Sequence, residues 1–262
     1  MTPIAGLTTV RSDAGALPLV LLHGMPLDSR MWTAAAQRVA GPAAVHLVDL
    51  PGTPRYVADL PAPSLEASAD EVARLLSDAG VDRAVVVGLS MGGYVALAIA
   101  DRHPDLLAGL GLVDTKAVAD TPEAAAKRLA AADELESSGS LDAVLPTVDG
   151  LLGETTRTAR PQVREQVLDW VRDQVPSGLA WSQRAMAVRP DRTEVLRTFS
   201  GPVTVVVGDE DTVSPVEQAR AMAAVGDAAL VVVPRVGHLS AVEDPAAVAT
   251  ALGELVARAQ RG

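Results

Sequence analysis

The chain contains no cysteine. That absence removes disulfides, thiolate nucleophiles and every zinc site built on sulfur. Histidine is scarce too, with four residues at 23, 46, 103 and 238. No two of them stand at a metal-ligand spacing such as H-x-x-x-H, so neither a metal nor another cofactor is expected. Positive charge is in short supply: 22 Lys+Arg face 33 Asp+Glu, for a formal charge of −11 and a pI near 4.8. Affinity for a phosphate backbone rests on clustered Lys and Arg, so no nucleic-acid partner is expected. The same acidic field repels anions at long range, which favours a neutral or apolar substrate. Long apolar runs are missing as well, since no stretch approaches the roughly 18 residues of a membrane helix. Met1–Gly15 has no basic leader region, and the run Leu17–Leu22 is too short and is interrupted by Pro18. A soluble cytoplasmic protein without a membrane partner is the expectation.

What is present is apolar and ordered. At 262 residues, 48% hydrophobic and 21% charged, the chain can bury one large α/β core or two modest ones. Six Val- and Leu-rich runs read as buried strands: Leu19–Leu22, Val45–Leu50, Ala84–Gly88, Leu110–Asp114, Val203–Gly208 and Leu230–Val233. Their hydrophobicity is continuous rather than alternating, as a parallel sheet covered on both faces requires. Helical patterns separate them. Ser64–Ala79 opens on a Ser cap, and Met91–Arg102 stops at His103-Pro104. Pro215–Val225 and Pro245–Ala259 begin with Pro behind the caps Ser214 and Asp244. The alternation predicts an α/β fold with a mostly parallel sheet and helices on both faces.

From Thr115 to Thr198 the alternation lapses into helical segments only: Pro122–Ser137, Leu141–Leu152, Pro161–Val175 and Gly178–Met186. An insertion of about 80 residues cannot be a plain loop in a compact domain. It reads as a helical cap over 115–198 on a core formed by 1–114 and 199–262; a helical domain with no part in the site is the alternative.

The segment richest in chemistry is Val85-Val86-Val87-Gly88-Leu89-Ser90-Met91-Gly92-Gly93, a buried strand running through G-x-S-x-G into a helix. Presenting a Ser hydroxyl at such a sharp turn strains the Ser backbone, and the residues two places either side must lack Cβ. The helix that follows directs free N–H groups, Met91's among them, to where an oxyanion would form. Serine needs a base. His46 falls inside a strand run and His103 at a helix end, so core and capping roles suit them. His23 follows the first buried strand. His238, in the loop after the last strand, is the candidate base. The base needs a carboxylate. Asp211 follows the strand ending at Gly208, beside Asp209 and Glu210, either of which could be a surface turn residue. Asp114, at the end of Leu110–Asp114, is a rival acid. The preferred order is Ser90, Asp211, His238.

Four motifs, His23-Gly24-Met25-Pro26, Gly88–Gly93, Gly208–Pro215 and Gly237–Pro245, make the chain resemble the α/β-hydrolase superfamily over nearly its whole length. In detail it is similar to 3-oxoadipate enol-lactonases and cofactor-free haloperoxidases and esterases. The resemblance implies oxyanion-hole amides at Met25 and Met91, an oxyanion loop shaped by His23, and a cap at 115–198. Ser90 separates the chain from the family's Asp-nucleophile dehalogenases and epoxide hydrolases. One loop departs from the family: D-x-x-G-x-G-x-S is replaced by Asp49-Leu50-Pro51-Gly52-Thr53-Pro54-Arg55-Tyr56.

The expected activity is cleavage of a small ester, lactone or thioester through a Ser-His-Asp triad and an acyl-enzyme. His23, Gly24, Leu151, Leu152, Trp170, Trp181 and Met186, with the two oxyanion methionines, are candidate pocket walls; core packing explains the helical ones equally well. A triad-bearing ligand-binding protein with little turnover remains open, as does a lyase or perhydrolase of the same fold.

Overall fold

Continuous apolar runs become the interior of one twisted sheet with helices on both sides. The computed structural model describes residues 4–12, 17–41, 44–56 and 60–262, so Met1–Gly15 is described only over 4–12. The strands are β1 (Leu7–Ser12), β2 (Leu19–Leu22), β3 (Ala44–Val48), β4 (Ala84–Leu89), β5 (Leu107–Val113), β6 (Val203–Gly208) and β7 (Ala229–Val233). They pair in the order β1-β3-β2-β4-β5-β6-β7, with β1 antiparallel to β3 and every other pair parallel. The α/β architecture and all six expected strands are present. β1 is additional. It reads Leu-Thr-Thr-Val-Arg-Ser, too polar for a buried run, because an edge strand needs apolar residues on one face only.

Alternation along the strands feeds two cores. Val20, Leu22 and Val86 face one, and Leu19, Leu21, Val85 and Val87 face the other. In chain order the helices are α1 (Thr33–Ala36), α2 (Leu65–Asp78), α3 (Met91–Arg102), α4 (Pro122–Ser138), α5 (Val148–Leu151), α6 (Glu154–Ala159), α7 (Pro161–Arg172), α8 (Pro176–Ala187), α9 (Thr193–Thr198), α10 (Val216–Val225), α11 (Ser240–Glu243) and α12 (Pro245–Ala259). Helices α2, α3 and α10 cover the first face; α1 and α12 cover the second. Ser64 caps α2 through Ala67 N, and Asp244 caps α12 through Ala247 N. Ser214 does not cap α10. The helix starts one residue later, behind Pro215, and the Ser214 hydroxyl is buried without a partner.

Between β5 and β6 there are helices and no strand. The expected Leu141–Leu152 helix is shortened to a 3₁₀ turn at Leu145–Thr147 followed by α5, because Pro146 cannot donate to a continuing helix. The atypical loop after β3 turns at Gly52 (φ +97°) and packs on the insertion, where a Cβ on Gly178 of α8 would lie 1.9 Å from the Gly52 carbonyl oxygen.

Strand order determines where a site forms. The chain leaves β2 for β3 on one side and then crosses to β4 on the other. The crevice beyond the carboxyl ends of β2 and β4 is therefore the switch point, where open α/β sheets hold ligands. The loop His23–Pro26 and residue Ser90 both emerge there.

Candidate active site

Ser90 sits between the last residue of β4 and the first of α3 with φ +52° and ψ −114°. Such a conformation costs a non-glycine residue about 1–3 kcal/mol and persists only where its surroundings over-determine it. Here Ser90 N donates to Val113 O at 2.9 Å, and Thr115 Oγ1 donates to Ser90 O at 2.8 Å. The flanking glycines are obligatory. A Cβ on Gly88 would lie 2.0 Å from Gly92 O, and one on Gly92 would lie 2.2 Å from Leu22 O.

The structure brings Ser90, His238 and Asp211 together from the ends of three strands. His238 Nε2 lies 2.9 Å from Ser90 Oγ, and His238 Nδ1 lies 2.9 Å from Asp211 Oδ2. With Nδ1–H donating to the carboxylate, Nε2 is the free acceptor for the serine proton. Asp211 cannot swing away, because its other oxygen accepts from Val213 N at 2.8 Å and Ser214 N at 2.9 Å. His238 and Asp211 are buried, at 2% and 5% exposure.

The neighbouring carboxylates are engaged elsewhere. Asp209 accepts from Arg235 N at 2.6 Å, and Glu210 accepts from Thr155 N at 2.8 Å. Asp114, the rival acid, makes no bond to His238. It is completely buried at φ +45°; Oδ1 accepts from Gly208 N at 3.0 Å, and Oδ2 accepts from Ser240 N at 3.0 Å and Ser240 Oγ at 2.6 Å. Burial, then the adjacent Asp211 charge, push its carboxyl well above the usual carboxylate range. Asp114 thus ties the start of the acid loop to the residue two beyond His238.

On the other wall, Met91 opens α3, so its N–H belongs to the unsatisfied first turn. Gly24 lies against the nucleophile; a Cβ there would be 3.3 Å from that of Ser90. The next residue, Met25, packs both on the sheet core and on a small cluster of Ala132, Leu135, Leu179 and Ala180 from the insertion. His23 is not a pocket wall. Its ring is 1% exposed and both nitrogens are spent, Nε2 accepting from Leu50 N at 2.9 Å and Nδ1 meeting Gly24 O at 3.1 Å. Burial lowers its pKa, in keeping with a neutral ring that fastens the Gly24 turn.

The remaining candidate walls are committed to packing. Trp181 and Met186 lie in the first core, with Trp181 Nε1 donating to Pro61 O at 2.7 Å. Leu152 lies in the second core, with Leu151 and Trp170 against it. Leu151 touches the site through its backbone, where its carbonyl accepts from His238 N at 2.9 Å. His46 meets Thr9 Oγ1 at 3.0 Å, and His103 meets Asp70 Oδ1 at 2.8 Å, both far from the chemistry. A cleft of about 320 Å³ bounded by Asp28, Arg30, Asp49 and Arg55 contains none of Ser90, His238 or Asp211. Among the described residues, no group of three or more His, Asp or Glu could hold a metal, and no helix is long and apolar enough to cross a membrane.

Sequence reasoning missed Thr115, Glu243 and the arginine pair around Asp120. Thr115 directly follows Asp114, and only the fold reveals its bond to Ser90. Glu243 accepts from Gly153, Gly237 and Leu239 amides. In the insertion, Arg189 and Arg128 share Asp120 at 2.6 Å each, and the Arg189 guanidinium lies 4.1 Å above the Tyr94 ring. Burial pushes Asp120 up, but the two guanidiniums outweigh it and hold the carboxyl at about 2.

Comparison with known proteins follows the same lines. A family model described as alpha/beta hydrolase family matches residues 19–251. A solved esterase from Thermogutta terrifontis, with malate bound, superposes with a TM-score of 0.89 and 35% identity, over 97% of this chain and 94% of that one. A 2-succinyl-6-hydroxy-2,4-cyclohexadiene-1-carboxylate synthase from Enterobacter sp. strain 638 is 32% identical over 91% of each chain. A pimeloyl-[acyl-carrier protein] methyl ester esterase from Chromobacterium violaceum is 30% identical over 84% of this chain and 86% of its own.

Proposed function

The chain belongs to the alpha/beta hydrolase family, and from that premise we propose that it is a carboxylic ester hydrolase in which Ser90 is the nucleophile, His238 the base and Asp211 the acid that orients the base. The carrying observation is the unbroken relay at 2.9 Å from Ser90 Oγ through the His238 ring to Asp211. The two esterases among its relatives support the same class of chemistry.

Ser90 Oγ attacks the carbonyl carbon of a small ester, lactone or thioester while its proton passes to His238 Nε2. The carbonyl oxygen becomes an anion, held by the amides of Met25 and Met91, each worth about 3 kcal/mol of barrier. Asp211 remains ionised and stabilises the imidazolium. His238 then returns the proton to the leaving alkoxide or thiolate, leaving an acyl group on Ser90. Water, deprotonated by the same Nε2, releases the acid and restores the serine. Every proton is carried by protein groups, so this chemistry calls for no metal or cofactor. The insertion over 115–198 serves as the cap, a reading supported by Met25 meeting it and by the bond from His238 N to Leu151 O. A neutral or apolar substrate suits the charge of −11.

Turnover of a p-nitrophenyl ester panel by the parent and by Ser90→Ala tests the proposal. Burst release and rapid stoichiometric fluorophosphonate labelling in the parent, both lost in Ser90→Ala, are expected; undiminished turnover in Ser90→Ala would overturn it. Labelling without turnover would favour a ligand-binding role. The synthase relative favours a second reading, non-hydrolytic chemistry on the same triad. Product analysis in ¹⁸O-labelled water separates the two, because only hydrolysis places a solvent oxygen in the released acid.

A further inference from the structure

Glu243 is a buried carboxylate with no cationic partner among the described residues. It is 3% exposed, closes α11 five residues after His238, and meets no Lys or Arg through its carboxylate among the described residues. Arg160 binds its backbone carbonyl instead. Three backbone amides satisfy the carboxylate. Oε1 accepts from Gly237 N at 2.9 Å and Leu239 N at 3.3 Å, the residues immediately before and after His238, while Oε2 accepts from Gly153 N at 2.9 Å. A group facing donors on every side must be an acceptor at both oxygens, which an ionised carboxylate is and a carboxamide is not.

The third of these amides belongs to the insertion. Residues 151–153 run against 237–239 backbone to backbone, His238 N donating to Leu151 O at 2.9 Å. The fit leaves no space: a Cβ on Gly237 would lie 2.3 Å from Gly153 N. His238 is therefore bracketed by one carboxylate that grips the chain on both sides of it and fastens it to the insertion.

We propose that Glu243 is a positioning residue for the base, locking the backbone around His238 to residues 151–153 so that the imidazole is in register with Ser90 only while the insertion is seated. The proposal rests on His238 being the base. It makes the insertion a structural part of the catalytic machinery as well as a cover for substrate. If residues 151–153 shift, they carry the His238 backbone with them, and Nε2 leaves hydrogen-bonding distance of Ser90 Oγ. The Glu243 carboxylate bonds the amides of Gly153, Gly237 and Leu239 and neither Met25 nor Met91, so its loss separates turnover from binding.

Glu243→Gln is the first variant, since it preserves shape and turns one acceptor into a donor facing an N–H. The expected result is a fall in kcat of roughly 100-fold, the scale of an ångström-sized misplacement of a catalytic group, with KM within about twofold. The far-downfield proton signal of the His238 Nδ1–H bond to Asp211 should broaden or vanish while the remaining amide spectrum stays dispersed. Gly237→Ala is the second variant. It leaves the carboxylate intact but pushes the two backbones apart, and the same kcat-led loss is expected, which keeps the test decisive if Glu243→Gln does not fold. Parent-like kcat and an unchanged downfield signal in either folded variant would overturn the proposal, as would a loss matching only the unfolded fraction or one expressed in KM. Ser90→Ala runs alongside: if it stays active, the triad reading fails, whereas an inactive Ser90→Ala beside a fully active Glu243→Gln refutes the positioning role alone.

Discussion

Asp211 and Asp114 are both buried beside the catalytic loops, and changing each to its amide should have opposite consequences. In Asp211→Asn the oxygen that accepts from Val213 N and Ser214 N at 2.8 and 2.9 Å keeps its place, so the new NH₂ turns toward His238 Nδ1. Nδ1 must then accept, the ring proton moves to Nε2, and the nitrogen facing Ser90 Oγ can no longer take its proton. The loss of kcat should be on the order of 10⁴-fold, or about 5.5 kcal/mol of barrier, with a small change in stability. In Asp114→Asn the carboxamide oxygen can keep Gly208 N while NH₂ faces Ser240, whose hydroxyl can rotate to accept from it. One buried donor, Ser240 N, is orphaned, at about 1–3 kcal/mol. Removing an acid that burial and the Asp211 charge already disfavour as an anion offsets part of that. The net loss should be about 1–2 kcal/mol, or roughly 2–8 °C in Tm for a chain of this size, with kcat reduced less than about tenfold. Steady-state ester hydrolysis and thermal melts of the two purified variants provide the check. Equal kcat losses, or a larger loss in Asp114→Asn, would refute the assignment of Asp211 as the orienting acid.

Two further predictions come from packing and charge. Gly92→Ala places a methyl 2.2 Å from Leu22 O and 2.8 Å from His23 O, both backbone atoms. It should cost about 3 kcal/mol or more and roughly 100-fold in kcat through displacement of the nucleophile; parent-like Tm and activity would contradict this reading. Asp120 is held at about 2 against an ordinary value of 3.8. Its ionisation therefore stabilises the fold above about pH 4, and that stability disappears as pH falls toward 2. The contribution is on the order of 1–2 kcal/mol after allowance for solvent screening. Urea titrations at pH 7, 4, 3 and 2 should show the stability gap between the parent and Asp120→Asn narrowing as pH falls; a constant gap would exclude the mechanism.

The fold was largely legible because the sheet is parallel. Val85, Val86 and Val87 are apolar without alternation since both faces of β4 are buried, and this announces a central strand directly. β1 was invisible for the complementary reason: an edge strand carrying Thr8, Thr9 and Arg11 looks like any polar loop. Ser90 could be read from its glycines, because close backbone approach forbids every other residue at 88 and 92. Choosing among Asp209, Glu210 and Asp211 was harder. All three are acids on one loop, and only the capture of Asp211 by two amides, with Asp209 and Glu210 turned to Arg235 N and Thr155 N, distinguishes them. The pocket walls were the weakest inference, because helical spacing shows that Trp181 and Met186 are buried without showing which partner buries them. Glu243 lies within the Gly237–Pro245 motif, but its role had no signature there: its partners are backbone amides, which leave no side-chain pattern.

β5 and β6 are adjacent and parallel, with Leu110 opposite Val203 and Val113 opposite Val206, so the chain leaves the carboxyl end of one strand and returns to the amino end of its neighbour, a separation of only about 11 Å. Closing such an excursion costs only about 0.6 kcal/mol for each doubling of its length. The sheet therefore places almost no limit on how long the insertion is or what it contains. The scaffold can exchange one helical insert for another, and with it the shape presented to a substrate, while the strands below remain unchanged. The limit lies elsewhere, in the short stretch from Leu151 to Gly153. An exchanged insert must still offer a carbonyl and an amide at that point, so this stretch is where a graft between relatives would need its seam.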